Sequence, residues 1–294
     1  MNKLFDKQIK IYLYDVIGGE ADPTDSITMP DTGMKPNISI QAEWTTDQVV
    51  SNTNIRLTNF YPSKNLNQYR WIKVFGGYRD SSDWGYFEGE VKVAYQESPS
   101  PDGVTLISCL TANTKDVFNS LIDIHSASGD SFDSVLNQIV NALSNNSGVS
   151  WSLENSLDAR SLVAPLDYNG TAKDLLAVLK GAYGFEYGYE GNTLLVCESK
   201  TGRTKIDPIE INYLSSAPAQ SAAGVTFTAP WIPALRPNKI IKIDPKYFKQ
   251  SFGATKVTMS TKLKCQTVTL EFNTVTQQNQ MTVLALNVGD MPNE

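Results

Sequence analysis

The chain has 294 residues, of which 41% are apolar and 19% are charged, with a formal net charge of −6. This length fits two or three domains, and an acidic chain without a Lys/Arg-rich run excludes specific binding of nucleic acid through its phosphates. No segment approaches the roughly 20 apolar residues of a membrane helix, and charged residues interrupt the N-terminus where a signal peptide would be apolar. We therefore expect no membrane insertion.

Short strand patterns dominate the first part of the chain. Residues 8–16 alternate apolar with polar or aromatic side chains, which is the period of a half-buried strand. Residues 18–37 contain Pro23, Pro30 and Pro36 among Gly, Asp, Thr and Ser, and predict a long loop or arm. Further strands are predicted at 38–43, 53–57, 71–76, 85–93 and 104–109. Together they predict a small antiparallel β-barrel domain over residues 1–112.

The pattern changes to helical in the middle of the chain. After the N-cap candidate Ser131, six apolar residues recur at steps of three and one, namely Phe132, Val135, Leu136, Ile139, Val140 and Leu143. A second helix is predicted over 171–183, with Thr171 and Asp174 spaced as in a capping box and Gly184 as its end. Two strands at 185–189 and 193–198 follow. Residues 113–205 therefore predict a helical and β-α-β-β domain.

The last part of the chain returns to strand patterns, at 224–228, 239–244, 256–270 and 280–287. They predict a second β-barrel domain over 206–294. The order of events repeats that of the first barrel: an opening strand, a turn-rich segment, an outgoing strand and a return strand. Two interpretations stay open, a general likeness of small antiparallel domains and a duplication. Two alike barrels per chain would let a trimer present six nearly equivalent barrels.

Residue types that carry chemistry are sparse. His125 is the only histidine, which excludes a multi-histidine metal site, and we expect it to be a surface or capping residue. Cys109, Cys197 and Cys265 lie in separate apolar runs and predict buried thiols in a protein made in a reducing compartment. No glycine pattern has the spacing of a nucleotide-binding loop. We expect no catalytic residue, no metal and no cofactor.

Two groups of residues keep a carbohydrate-related alternative open. The carboxylates Glu186, Glu190, Asp83 and Glu88 are candidates by type for glycoside hydrolysis. An aromatic cluster predicts either core and interface packing or a sugar-binding platform, and it consists of Trp71, Phe75, Tyr78, Trp84, Tyr86 and Phe87.

Three segments resemble one protein family. WIKVFGGY at 71–78 followed by YFEGEV at 86–91, the run TFTAPWIPALRPN at 226–238 and the final strand at 281–287 are similar to segments of phage baseplate hub proteins of contractile-type tails. The likeness spans most of residues 38–287, whereas the arm at 18–37 has no counterpart. The resemblance implies a mainly β fold with an α/β insert, in which two antiparallel β-barrels of the tail-tube type flank a central α/β domain.

The resemblance also implies a function. A hub of this family is a structural protein of the virion, a homotrimer whose pseudo-six-fold ring joins the tail tube to the central spike and lines the DNA channel. The implied partners are the tail tube protein, the spike protein and baseplate wedge proteins, with the tape-measure protein as a further candidate. Synthesis is expected in the host bacterial cytoplasm. The alternative is a tail-associated carbohydrate-binding module or a cell-wall glycoside hydrolase.

Eleven apolar or aromatic residues are predicted to pack the barrels and their interfaces. They are Trp71, Val74, Tyr78, Phe87 and Val91 in the first barrel, and Val225, Phe227, Leu235, Ile240, Ile241 and Leu284 in the second.

Overall fold

A computed structural model describes residues 7–19, 22–29, 37–46, 50–78, 85–97, 103–111, 120–221, 224–232, 234–244, 247, 262–274, 276 and 279–288. Within these ranges strands predominate, and the two α-helices both lie in the middle of the chain. The predicted class, mainly β with an α/β insert, is confirmed.

The N-terminal part of the chain contributes seven strands to one large sheet. They are β1 (Lys7–Tyr14), β2 (Asp25–Met29), β3 (Asn37–Thr45), β4 (Asn52–Thr58), β5 (Trp71–Tyr78), β6 (Gly85–Glu97) and β7 (Val104–Leu110). A 3₁₀ turn at Leu66–Gln68 precedes β5. In β3 and β4 every second side chain is buried, as expected for strands with one face on a core.

The C-terminal part contributes six more strands to the same sheet. They are β13 (Ile209–Ile211), β14 (Ala219–Ser221), β15 (Gly224–Pro230), β16 (Ile240–Ile243), β17 (Lys262–Asn273) and β18 (Asn279–Asn287). The main order of the 13-stranded sheet is β14-β15-β18-β17-β3-β4-β7-β6-β5-β1-β2, and β16 pairs with β17 and β13.

One pairing joins the two predicted barrels. Strand β17 lies antiparallel to β3 from Thr267 opposite Thr45 to Asn273 opposite Ser39. Buried side chains of both halves accordingly belong to one hydrophobic cluster, in which Ile40 and Leu57 of the first half accompany Phe227 of the second. The two strand sets therefore share a sheet and a core.

The segment between the two strand sets forms the α/β insert. Its elements are β8 (Leu121–Ser126), α1 (Phe132–Ser147), β9 (Ser152–Ser156), β10 (Leu166–Thr171), α2 (Ala172–Tyr183), β11 (Phe185–Glu190) and β12 (Thr193–Glu198). Strands β8 and β10 pair with each other, and β11, β12 and β9 form a three-stranded sheet. The insert has a hydrophobic cluster of its own.

Both helices are capped as the sequence predicts. The Ser131 hydroxyl accepts a hydrogen bond from the Ser134 amide at 3.2 Å, and the Thr171 hydroxyl accepts one from the Asp174 amide at 3.2 Å. Gly148 and Gly184 end the helices at φ of 68° each, in the left-handed region that favours glycine. All six apolar residues predicted for the stripe of α1 are buried.

Several element predictions need correction. Part of the predicted arm at 18–37 is strand β2, which pairs antiparallel with β1 from Asp25 opposite Leu13 to Met29 opposite Ile9. Strands β8, β9, β13 and β14 were not predicted from the sequence, although β8 alternates exposed and buried residues along its length. The predicted strand 256–270 is observed as Lys262–Asn273, and residues 256–261 lie outside the described ranges. The domain limits at 112/113 and 205/206 stay predictions.

Candidate functional site: a repeated strand set and a polar sheet face

The two halves of the sheet repeat the same pairing scheme. In the first half β3 pairs with β4, β4 with β7, β7 with β6, and β6 with β5. In the second half β14 pairs with β15, β15 with β18, β18 with β17, and β17 with β16. All these pairings are antiparallel, so the set β3-β4-β7-β6-β5 corresponds strand by strand to β14-β15-β18-β17-β16.

A β-bulge fixes the residue correspondence between the halves. The register of β6 on β7 shifts between Val91 and Val93, and that of β17 on β18 shifts between Cys265 and Thr267. At both places the residue before the shift donates its backbone N–H to the carbonyl of the residue that immediately precedes the neighbouring strand, β5 or β16. Val91 donates to the Arg70 carbonyl at 2.9 Å, and Cys265 to the Lys239 carbonyl at 3.0 Å.

Because bulges are specific local features rather than generic ones, the matched bulges and amide contacts support true equivalence of the halves. Val91 therefore corresponds to Cys265, and their strand partners Cys109 and Ala285 correspond as well. It follows that Thr53 of β4, opposite Cys109, corresponds to Val225 of β15, opposite Ala285. The two halves therefore share not only the order of their strands, as the sequence indicated, but also the register in which those strands pair.

The sheet face opposite the core is polar. Along β3, β4, β15, β17 and β18 the buried residues alternate with residues that face away from the core. Glu97 of β6 and Ser108 of β7 lie on the same side, where they contact Arg56 and Asn52 of β4. We call these the polar face, defined by Gln41, Glu43, Asn52, Asn54, Arg56, Glu97, Ser108, Thr226, Thr228, Thr269, Glu271 and Thr282. A depression of about 420 Å³ on this side is lined by Gln41, Glu43, Asn52, Asn54, Thr269 and Glu271 together with backbone neighbours.

The charges of the polar face are mostly negative. Glu43, Glu97 and Glu271 carry carboxylates, and Arg56 is the single cation of the set. Arg56 pairs with Glu97 at 3.0 Å, with both side chains about half exposed. The face therefore presents hydroxyls, amides and a net negative charge, a surface that repels rather than attracts nucleic acid phosphates.

Charged side chains connect the insert to the sheet, and one buried ion pair, Arg236 with Glu190, joins the two. The Arg236 guanidinium lies over the Trp44 ring at 4.4 Å and donates to Glu190 of β11 at 3.1 Å. Lys264 of β17 donates to the Ser199 carbonyl of the insert. Within the insert, Arg203 forms a two-point contact with Glu154 of β9. Burial lowers the pKa of Arg236, whereas the Glu190 carboxylate acts to raise it. A small cavity of about 60 Å³ is lined by Trp44, Glu190, Arg203 and Arg236, among others.

The structure buries nine of the eleven predicted packing residues. These are Trp71, Val74, Phe87, Val91, Val225, Phe227, Leu235, Ile240 and Ile241. Leu284 is half-buried and lies in the row of Thr282 on the side opposite the core, because the alternation of β18 buries Val283 and Ala285 instead. The Tyr78 side chain lies outside the described residues. An interface role for any of the eleven stays a prediction.

The chemical candidates are distributed over separate places. His125 is exposed on β8, between Asp123 at 3.3 Å and Asp167 at 3.0 Å. In the described ranges no group of three or more His, Cys, Asp and Glu residues has the arrangement of a metal site. The three cysteines are buried and free, as predicted. Across the same ranges no helix has the length and apolarity needed to span a membrane.

The carbohydrate-related candidates have structural partners. Glu186 pairs with Lys180 at 2.7 Å, and Glu88 lies 3.5 Å from Lys73 and accepts from the Trp71 indole at 3.3 Å. Trp71 and Phe87 are buried and so present no ring to a sugar, and Phe75 packs edge-on against Tyr12 at 5.6 Å. Asp83 and Trp84 and the side chain of Tyr86 lie outside the described residues.

Sequence reasoning missed the polar face and the buried ion pairs. The alternation of Gln41, Glu43, Asn52 and Asn54 with apolar residues was a visible signal for one wet face. The ion pairs had no such signal, because Glu154 and Arg203 are 49 residues apart and come together only once β9 pairs with β12.

No protein-family model and no curated protein sequence matches the chain. Solved structures do match in fold. The tail protein from Neisseria meningitidis MC58 aligns with a TM-score of 0.61 at 7% identity, over 96% of this chain and 97% of that one. The 43 kDa tail protein of prophage MuSo2 from Shewanella oneidensis gives 0.56 at 9% identity, over 95% and 98%.

A third similar structure is the E. coli c3393 protein, with a TM-score of 0.58 at 10% identity over 88% of this chain and 76% of that one. It is described as a component of the type VI secretion system with structural similarity to the T4 bacteriophage tail proteins gp27 and gp5. At these identities the likeness shows a shared fold. The fold implied by the resemblance to baseplate hub proteins is thereby confirmed.

Proposed function

We propose that this protein is a structural subunit of a phage-type tail baseplate hub, in which three copies form a ring between the tail tube and the central spike. Its proposed neighbours are the tail tube protein, the spike protein and baseplate wedge proteins, and its proposed location is the tail of the virion. In this role the protein acts by its shape and surface, without catalysis. The fold shared with tail proteins of two bacterial sources supports the assignment.

The repeated strand set is the observation that carries the proposal. Each chain holds two equivalent sets, β3-β4-β7-β6-β5 and β14-β15-β18-β17-β16, joined side by side through β17 and β3. A cyclic trimer of such chains would present six similar sets around one axis. This arrangement would adapt a six-fold tube to a three-fold spike, which a chain with a single set could not do as a trimer.

The polar face is proposed as the wall of the channel. It carries hydroxyl, amide and carboxylate groups, and its three carboxylates outnumber the single guanidinium of Arg56. A wall with this charge would let DNA pass without holding it, because non-specific DNA binding depends on cations that neutralise phosphates.

Native mass spectrometry and electron microscopy of the purified protein test the proposal. We expect a species of three times 32.4 kDa and ring-shaped particles with an open centre, with the tail tube and spike proteins added where ring closure requires neighbours. A chain that stays a monomer with both neighbours present would contradict the proposal, as would a monomer that binds cell-wall glycans.

A further inference from the structure

The two halves differ in how one strand edge is covered. In the second half, β17 pairs with β16 through Lys262–Lys264 and then with β3 through Thr267–Asn273 on the same side. In the first half, β6 pairs with β5 through Gly85–Glu90. The continuation of β6 at 93–97 pairs with β7 on its other side, and no described strand covers the edge that corresponds to the one occupied by β3.

The strand equivalent to β3 lies at the other end of the described sheet. Strand β14 pairs with β15 as β3 pairs with β4, and it is the terminal strand of the sheet order. Its three residues are all exposed. On β6, the segment 93–97, whose second edge no described strand covers, carries Val93 at 52% and Tyr95 at 51% exposure. Uncovered edges of this kind are sites for pairing with another chain.

We infer that β6 of one subunit pairs antiparallel with β14 of a second copy of this chain. This inference rests on the proposed trimeric hub and specifies its interface. Around a three-fold ring, three β17–β3 pairings within subunits would then alternate with three equivalent β6–β14 pairings between subunits. The sheet becomes continuous, and neither edge remains open.

The correspondence of the halves fixes the register of the interface. Within the chain, Thr269 lies opposite Glu43, Leu270 opposite Ala42, and Glu271 opposite Gln41. The bulges place Tyr95, Gln96 and Glu97 at the positions of these β17 residues, and the β15 pairings place Ser221, Gln220 and Ala219 at the positions of the β3 residues. Tyr95 therefore lies opposite the partner's Ser221, Gln96 opposite the partner's Gln220, and Glu97 opposite the partner's Ala219.

Local chemistry is compatible with this register. Neither segment contains proline, so every residue has a backbone N–H for the ladder. Glu97 faces an alanine across the interface, which avoids a pair of like charges. Glu97 also lies on the polar face, so the pairing continues that face from one subunit to the next.

Hydrogen-bonded and non-hydrogen-bonded pairs alternate along the ladder, and the chain shows their phase. The Thr46 amide donates to the Gln266 carbonyl at 3.0 Å and the Thr274 amide to the Ile38 carbonyl at 3.0 Å, so Gln41 and Glu271 form a non-hydrogen-bonded pair. By equivalence, Glu97 and the partner's Ala219 form one too. Their Cα atoms would be about 4.5 Å apart, within disulfide range.

The first test is a disulfide between subunits. The variant Glu97→Cys with Ala219→Cys is oxidised mildly and run on a non-reducing gel, where we expect covalent dimers and trimers that disappear on reduction. The matched control is Tyr95→Cys with Ala219→Cys, whose diagonal Cα separation of about 7–8 Å does not allow a disulfide. Native thiols contribute little background, since burial raises the pKa of Cys197 to about 12 and also that of Cys109 and Cys265.

A second variant tests the interface without a disulfide. In the inferred register Gln96 and the partner's Gln220 form a hydrogen-bonded pair, so the Gln220 amide points to the neighbour rather than to β15. Gln220→Pro removes that amide, and we expect loss of the trimer by native mass spectrometry with the far-UV circular dichroism of the monomer retained. Gln220→Ala keeps the amide and should remain a trimer.

The outcomes separate the inference from the proposed function. A trimer in which the Glu97/Ala219 pair stays unlinked, or links no better than the Tyr95/Ala219 control, would overturn the strand pairing and leave the hub proposal standing. A trimer that tolerates Gln220→Pro would do the same. A wild-type chain that never forms a trimer, even with its tail neighbours, would overturn both.

Discussion

At the scale of single residues, charged side chains help to hold the insert on the sheet. Arg236 combines stacking on Trp44 with a hydrogen bond to Glu190, while its side chain is only 9% exposed. A buried guanidinium is tolerated when it is paired and hydrogen-bonded, and removing one partner leaves the other group poorly solvated. Such pairs fix one geometry between the two parts because few alternative positions would satisfy both charges.

Replacing Arg236 should destabilise the protein far more than replacing an exposed arginine. We expect Arg236→Met to lower the free energy of unfolding by about 3 kcal/mol, because Glu190 loses its partner and Trp44 loses a cation. The control is Arg56→Met, which breaks a half-exposed pair with Glu97 and should cost less than about 1 kcal/mol. Chemical denaturation followed by tryptophan fluorescence measures both, and equal losses would contradict the argument.

At the scale of elements, a close approach between two strands links the halves. Gly76 of β5 lies against the Trp231 ring just after β15, so that a Cβ atom at Gly76 would stand 1.5 Å from the indole. Trp231 in turn packs against Phe272 of β17, with ring centroids 4.9 Å apart. A glycine in the first strand set thus provides the space for an aromatic side chain that anchors the second.

Gly76→Ala should therefore displace the Trp231 ring. We expect a loss of about 2 kcal/mol, within the usual range for overpacking a core, together with a changed near-UV circular dichroism signal. Gly181→Ala in helix α2 is the matched control, because a Cβ atom there meets nothing within 4 Å. That control should raise the melting temperature slightly, by helix propensity. A Gly76→Ala protein as stable as the wild type would show that Trp231 moves without cost.

At the scale of the whole molecule, the sheet separates two environments. One face carries the shared hydrophobic core, and the other carries the polar face with its excess of carboxylates. In the proposed ring the polar faces of three subunits surround one channel. The net charge of that wall is then the sum of the charges on the polar faces of the three subunits.

Reversing the charge of the polar face should create DNA binding. We expect Glu43→Lys with Glu271→Lys to retain short duplex DNA at low salt and to release it as salt rises, because new phosphate contacts displace counterions. The control places the same two reversals on the insert, as Asp123→Lys with Asp167→Lys, where both carboxylates are exposed and lie outside the polar face. Fluorescence anisotropy at two salt concentrations measures binding. Equal binding by both variants would contradict a special role for the polar face.

The sequence by itself determined the local elements and the fold class. The apolar stripe after Ser131 and the capping spacing of Thr171 and Asp174 predicted both helices, because helix periodicity and caps depend on residues within a few positions of each other. The same holds for the buried cysteines and for most of the packing residues. Strand rhythm and motif order also predicted two similar strand sets.

Only the tertiary structure decided how these elements combine. The β3–β17 pairing that merges the two sets, the strand β2 within the predicted arm, and the meeting of Arg203 with Glu154 all join residues distant in sequence. Backbone hydrogen bonds can join any two extended segments, so local patterns do not specify which strands become neighbours. For the same reason, the matched bulges and the edges of β6 and β14 that no described strand covers became apparent only in three dimensions.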